Sequence, residues 1–343
     1  MNCGVKNNLK TKVLEKEERI KIGMTHGNAD EYSYQILARI LSEPFFLETA
    51  FPFGYASLAA MGQRTKAMGL HETTFAGATQ WADLKGKRPM LWETEDKPAA
   101  ALSQALAHLK SEELKALVTL PVDAEAVRAE LPAYKNTPLW LASQFGGSRP
   151  FRLWLLEKWR VTFMTSLQMD RLSERLSADK VKERIEILYR ALQRDFNITV
   201  PRIALLSTQP DLEATELSEA DKTVLQPLTA GLQEKGMPVF GPYNLKRFFT
   251  EVRETAGDAF HAVLCPYKEQ SDRIQQHFGT DRLCAYTAGL PFVHMEPIYT
   301  PGQTPLETAI RCTARALCET VDICRARALY ARLTENPLQK TTE

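Results

Sequence analysis

The chain has 343 residues, 44% hydrophobic and 25% charged, which fits a globular protein with an ample core and room for two domains. Its net charge of +1 offers no basic field for nucleic acid or an anionic membrane, and no apolar run approaches the ~20 residues needed to cross a bilayer. Its six cysteines (Cys3, Cys265, Cys284, Cys312, Cys318, Cys324) form no C-x-x-C pair and have no histidine at zinc-finger spacing, so reduced thiols in a cytoplasmic protein are expected.

Residues 1–19 are polar and charged, lack the apolar centre of a secretory signal, and read as a flexible leader. Strands are expected at Ile20–Thr25, Ala116–Val122, Arg160–Thr165, Arg202–Ser207, Pro238–Phe240 and Ala262–Cys265. Several are continuous apolar runs, as in strands covered on both faces, and they alternate with amphipathic helices. That alternation predicts an α/β architecture. The clearest helix spans Ala178 to Phe196, with Val181, Ile185, Leu188 and Leu192 on one face. Ser177 is its expected N-cap, and Asp179 suits the first turn. A further stretch, Leu102–Leu109, reads as helix. A long helix is expected from near Pro305 to about Leu333, burying Ile310, Leu317, Val321 and Leu329. Phe51 to Pro98, with scattered glycine and proline, resists assignment, and the basic run at Lys85–Arg88 reads as a solvated loop.

Several residues admit two readings. His26 either touches a ligand or is simply tolerated at its turn. Trp140, Trp154 and Trp159 are expected in a core or an interface rather than as stacking platforms. His71, His108, His261 and His277 read as surface or helix residues, and Cys265 as inert packing.

Collinear motifs carry a resemblance. They are Ile22-Gly23-Met24-Thr25-His26-Gly27-Asn28, then Leu117-Val118-Thr119-Leu120-Pro121, then Asp195-Phe196-Asn197-Ile198 with Pro201-Arg202-Ile203-Ala204. Gly241-Pro242-Tyr243, Tyr267 with Gln270, Thr287-Ala288-Gly289-Leu290-Pro291 and the tail around Asp322–Arg327 and Asn336-Pro337-Leu338 follow in order. In sequence and spacing they resemble the 4-hydroxythreonine-4-phosphate dehydrogenase family. The resemblance implies two α/β/α domains with a cleft between them, of the isocitrate/isopropylmalate-dehydrogenase-like type. Residues 20–135 with 303–343 would form a discontinuous first domain, and 136–302 a second that carries a dimer interface. It also implies NAD and a divalent metal acting on a secondary alcohol of a phosphorylated amino acid, on the route to pyridoxal phosphate.

The metal's task in that chemistry is to stabilise the alkoxide from which hydride leaves. The resemblance puts its three histidine ligands at Leu167, Asp211 and Lys268. Leucine offers no donor, and an ammonium repels a divalent cation, so no metal is expected. Asp211 and Lys268 either pair in its place or are solvated independently. Substrate-pocket positions by the same match are Thr137, Pro138, Gln276, Ala285 and His294, where histidine, threonine, lysine, asparagine and arginine would stand. His294 either keeps a weak anion affinity or serves as a hydrogen-bonded structural histidine. Near the cofactor, Ile298-Tyr299-Thr300-Pro301 replaces an Asp-His-Gly-Thr stretch, and Asp30 and Glu31 put carboxylates where a phosphate would approach a helix start.

The strand ends match while the site residues are replaced together. A retained fold with released function is therefore expected: a catalytically inactive relative with a binding or regulatory role, homodimeric or paired with an active paralogue. The alternative is an active NAD-dependent dehydrogenase that needs no metal, acting on a different small alcohol through Lys268 or Glu269.

Overall fold

The computed structural model describes residues 19–69, 74–146, 150–157, 159–165, 177–254, 260–279 and 281–334. Twelve strands form among them. They are β1 (Lys21–Thr25), β2 (Phe51–Ala56), β3 (Ala76–Ala78), β4 (Met90–Glu93), β5 (Ala116–Thr119), β6 (Phe151–Leu155), β7 (Arg160–Thr165), β8 (Ile203–Leu206), β9 (Val239–Tyr243), β10 (Ala262–Tyr267), β11 (Cys284–Ala288) and β12 (Val293–Pro297). They join one sheet in the order β3-β4-β2-β1-β5-β12-β11-β6-β7-β10-β8-β9. The block from β3 to β12 is parallel, and so is the block from β7 to β9. Between them β11 and β6 run antiparallel to their neighbours, so the two parallel blocks point in opposite directions.

Helices cover both faces, as the α/β reading requires. Ala178–Phe196 forms as expected, with Val181, Ile185, Leu188 and Leu192 all buried. Each such side chain contributes roughly 1.5–3 kcal/mol. Asn197, left-handed at φ 52°, ends the helix. Ser177 is extended, as an N-cap should be, but its hydroxyl makes no capping bond. The long helix forms at Leu306–Thr334 and buries Leu317 and Val321, with Ile310 partly covered. Leu329 is a correction: it is 42% exposed, because the last turns of this helix carry little of the core. His108 is a helix residue, as expected, and is buried in the Pro98–Lys110 helix against Trp92 at 4.2 Å. Its Nδ1 lies 2.7 Å from the Tyr55 hydroxyl.

The apolar core divides by face. Ile22, Met24, Val118, Met295, Tyr286, Leu153 and Leu264 alternate onto one face and join a continuous core with the Ala178–Phe196 and Leu306–Thr334 helices. The other face carries two separate clusters. One is built on Phe53, Tyr55 and Leu117, the other on Trp154, Val161, Val263 and Cys265.

Candidate functional site

The four central strands lie between those two clusters, and on that face they carry polar residues. Thr119 comes from β5, His294 and Glu296 from β12, Thr287 from β11 and Arg152 from β6. Strand register sets their order, with Ala285 opposite Glu296 on one side and Trp154 on the other, and Thr287 opposite Arg152. The result is a polar floor lying between two apolar clusters, the position of the valley that the resemblance implies.

His294 is fully buried in this floor, its Nε2 2.9 Å from Thr119 Oγ1 and its Nδ1 2.9 Å from Thr287 Oγ1. Burial, reinforced by the nearby Arg152 charge, lowers its pKa to about 3. It is thus a neutral, hydrogen-bonded structural histidine, with no free nitrogen for an anion. Beside it, Arg152 Nη2 donates to Glu296 Oε2 at 2.7 Å, and the Arg152 guanidinium lies over the Trp154 ring at 5.6 Å. Burial raises the Glu296 pKa against the opposing pull of Arg152. The side chains of Arg152 and Glu296 keep 37% and 14% exposure, so the polar floor reaches solvent at this pair. Thr137 starts the Thr137–Ser143 helix with its hydroxyl 2.8 Å from that of Tyr134, and Pro138 occupies the same first turn. Thus Ala285 and His294 share the floor. Gln276 does not join them; it is exposed on the Lys268–Phe278 helix.

Two of the positions that the resemblance assigns to metal ligands, Asp211 and Lys268, sit after β8 and β10. A buried carboxylate organises the first of these loops. Asp221 accepts from Thr208 N at 2.7 Å, Thr208 Oγ1 at 2.8 Å and Ser218 N at 2.9 Å, and also from the Ser207 hydroxyl. Tyr267 OH and Gln270 Nε2 donate to the carbonyls of Thr208 and Ser207, both at 2.8 Å, tying this loop to the start of the next helix. Asp211 is exposed beyond this knot and accepts from the Glu213 amide at 3.0 Å. Lys268 begins its helix and donates to Asp272 at 2.5 Å, so the lysine pairs within its own helix. Glu269 is half-buried beside it, and Leu167 lies outside the described residues. An ammonium, an exposed carboxylate and a leucine are not a divalent-metal donor set. Among the described residues no group of three or more His, Cys, Asp or Glu could hold a metal ion.

At the carboxyl end of β1 the chain turns through Gly27 at φ +73°, where a Cβ would lie 2.9 Å from the Pro121 carbonyl. Only glycine fits there without strain. His26 is buried beside it, stacked on Tyr34 at 5.0 Å, with Nδ1 3.2 Å from the Asn28 carbonyl and Nε2 without a partner. Burial lowers its pKa. Tyr34 donates to Asp96 at 2.8 Å, and Arg64 grips the same carboxylate through bonds of 2.6 and 2.5 Å. Asp30 caps the Glu31–Leu41 helix by accepting from Ser33 N at 2.7 Å, so a carboxylate already occupies that helix start.

Arg152, Glu296 and Asp221 escaped the sequence reading. For the first two a signal existed: each is the lone charge in a strand of apolar residues, FRLWL and VHMEP. Asp221 gave none, because its partners are short polar residues of an ordinary loop.

Residues 92–303 match the family model of the pyridoxal phosphate biosynthetic protein PdxA. A 4-hydroxythreonine-4-phosphate dehydrogenase of Bacteroides thetaiotaomicron is 23% identical over 94% of both chains. One from Xanthomonas axonopodis pv. citri is 28% identical over 68% of this chain and 70% of its own. The crystal structure of 4-hydroxythreonine-4-phosphate dehydrogenase from Klebsiella pneumoniae superposes with a TM-score of 0.70 at 18% identity, covering 88% of this chain and all of that one. That likeness identifies the fold as the isocitrate-dehydrogenase-like α/β type.

Proposed function

Because the chain belongs to the PdxA family, we propose that it keeps the family's valley as a binding site while having given up metal-dependent alcohol oxidation. The observation that carries this reading is the fate of the ligand positions: Lys268 is paired with Asp272, and Asp211 bonds a backbone amide of its own loop. Among the described residues there, no group of three or more donors is placed to hold a cation against a substrate hydroxyl. The floor adds support, since a neutral His294 and a charge-balanced Arg152–Glu296 pair offer little to a dianionic phosphate.

A metal-independent dehydrogenase working through Lys268 would need that amine buried. Its side chain is instead 48% exposed and ion-paired, which favours the binding or regulatory reading. The same reading places residues 20–135 with 303–343 in one domain and 136–302 in the other, meeting along the valley. It expects a homodimer, or a heteromer with a competent paralogue; exposed Val200 (55%) and Phe278 (47%) on the second half support such a contact. No helix among the described residues is long and apolar enough to cross a membrane. The free state of all five described cysteines supports a cytoplasmic setting.

Rescue of a pyridoxine-requiring strain that lacks its own dehydrogenase tests the proposal. No growth at normal expression is expected, together with substoichiometric zinc and magnesium in the purified protein. Growth, or turnover of 4-hydroxythreonine-4-phosphate by pure protein, would overturn it. Titration with NAD then reads whether the cofactor still binds without turnover.

A further inference from the structure

At the amino ends of β1, β5 and β12 the structure holds a cavity of about 1280 Å³. Ile20, Leu114, Phe145 and Phe292 make it apolar, with the Phe145 and Phe292 rings 5.0 Å apart. Arg327 also reaches it, but its guanidinium is held by Asp195 at 2.9 Å. Among the described residues, Arg19, Lys110, Lys115, Arg325 and Arg332 stand around the rest, against Glu48 and Glu112. For a chain whose net charge is +1, this is a local concentration of positive charge.

Part of that charge has a structural role. Lys110 and Arg332 lie in the last turns of their helices, where cations complement the carbonyl ends. Arg19 donates to the carbonyls of Leu47 and Gly86, and Arg325 is 3.9 Å from Asp322. Lys115 is different. It stands exposed just before β5, past the end of the Pro98–Lys110 helix and outside its last turn, beside the apolar wall of Leu114.

We propose that this cavity binds a small organic anion with an apolar body, such as a medium-chain carboxylate, with Lys115 as its charge partner. Its volume exceeds that of usual ligand pockets, roughly 300–1,000 Å³, so such a ligand fits without displacing the walls. The apolar wall would cover the chain and the basic rim the head group. The site is separate from the valley, at the opposite strand ends from Gly27 and Thr119, and does not rest on the reading given above.

Isothermal titration of the full chain with octanoate and with octanamide tests it. Octanoate is expected to bind at least tenfold tighter. Lys115→Glu should weaken octanoate tenfold or more and leave octanamide unchanged, with an unaltered near-ultraviolet dichroism spectrum showing that the variant folds. Ala328→Trp, placed on an exposed helical position of the cavity wall, should remove both. Three results overturn the proposal: no saturable octanoate binding up to millimolar concentration, equal binding of the two probes, or indifference to Lys115→Glu. Sedimentation velocity run alongside covers the remaining occupant. Octanoate binding that disappears as a dimer forms would assign the cavity to a second copy of the chain and overturn it as well.

Discussion

Tyr286 and Thr287 are neighbours on β11 that point to opposite faces of the sheet, and the polar groups they join differ in charge state. Tyr286 donates to Asp195 at 2.7 Å, where Arg194 adds bonds of 2.6 and 2.9 Å and Arg327 one of 2.9 Å. Burial alone would raise that carboxyl's pKa. The Arg194 hydrogen bond and the two guanidinium charges outweigh it, and the pKa falls below the usual carboxylate range. Thr287 meets His294, which has two hydroxyl partners and no opposite charge, and there burial wins and the ring stays neutral. Equal burial gives opposite outcomes because only one site supplies a counter-charge. The charged centre cross-links the Ala178–Phe196 and Leu306–Thr334 helices to the sheet, whereas the neutral one forms the floor of the valley.

The largest effect should come from breaking the charged centre. Asp195→Ala leaves two guanidinium groups and a phenol without their shared acceptor, which should cost about 3–5 kcal/mol in urea unfolding. A loss under about 1 kcal/mol would mean that water replaces the carboxylate, and the contrast with His294 would fail.

A proton titration distinguishes the neutral centre. With a folded pKa of about 3 against an unfolded value near 6.5, His294 takes up its proton on unfolding. Its contribution is therefore complete above pH 6.5 and is lost as pH falls from there toward 3. Between pH 7 and pH 5 this amounts to about 2 kcal/mol. Other histidines titrate in the same window, so the measurement is the difference between the wild type and His294→Gln. The variant's stability should fall less steeply over that range. Parallel curves would show that the ring is already protonated or reaches water.

The contrast between the two centres also marks what was legible beforehand. Helix Ala178–Phe196 could be read from its periodicity because one face is packed and the other is not. Strands β2 and β4 could not: Phe51–Ala56 is buried along its whole length, includes Pro52 and Gly54, and so shows no alternation. The expectation that Leu329 is buried extended a helical period beyond the sheet that enforces it. Asp195 is legible as part of a junction but not as the hub of an ion network, since beyond the adjacent Arg194 its partners are 91 and 132 positions away. At the valley, resemblance supplied the positions Ala285 and His294. The groups now filling the floor, Arg152 and Glu296, come from strands whose pairing no local pattern specifies.

The smallest expected effect lies at Lys268 and Asp211, the positions that the resemblance assigns to metal ligands. Lys268 and Asp272 form an i, i+4 pair with side chains 48% and 38% exposed. Such pairs are worth about 0–1 kcal/mol, because water screens the attraction and two long side chains lose freedom. Lys268→Ala should therefore shift urea unfolding by no more than about 0.5 kcal/mol, and Asp211→Ala by no more, since its carboxylate holds only one exposed amide. The Asp221 knot, not Asp211, holds that loop, so these two positions are free to vary without cost to the fold. A loss above about 1.5 kcal/mol from either substitution would show that these two positions carry structure beyond the contacts seen here.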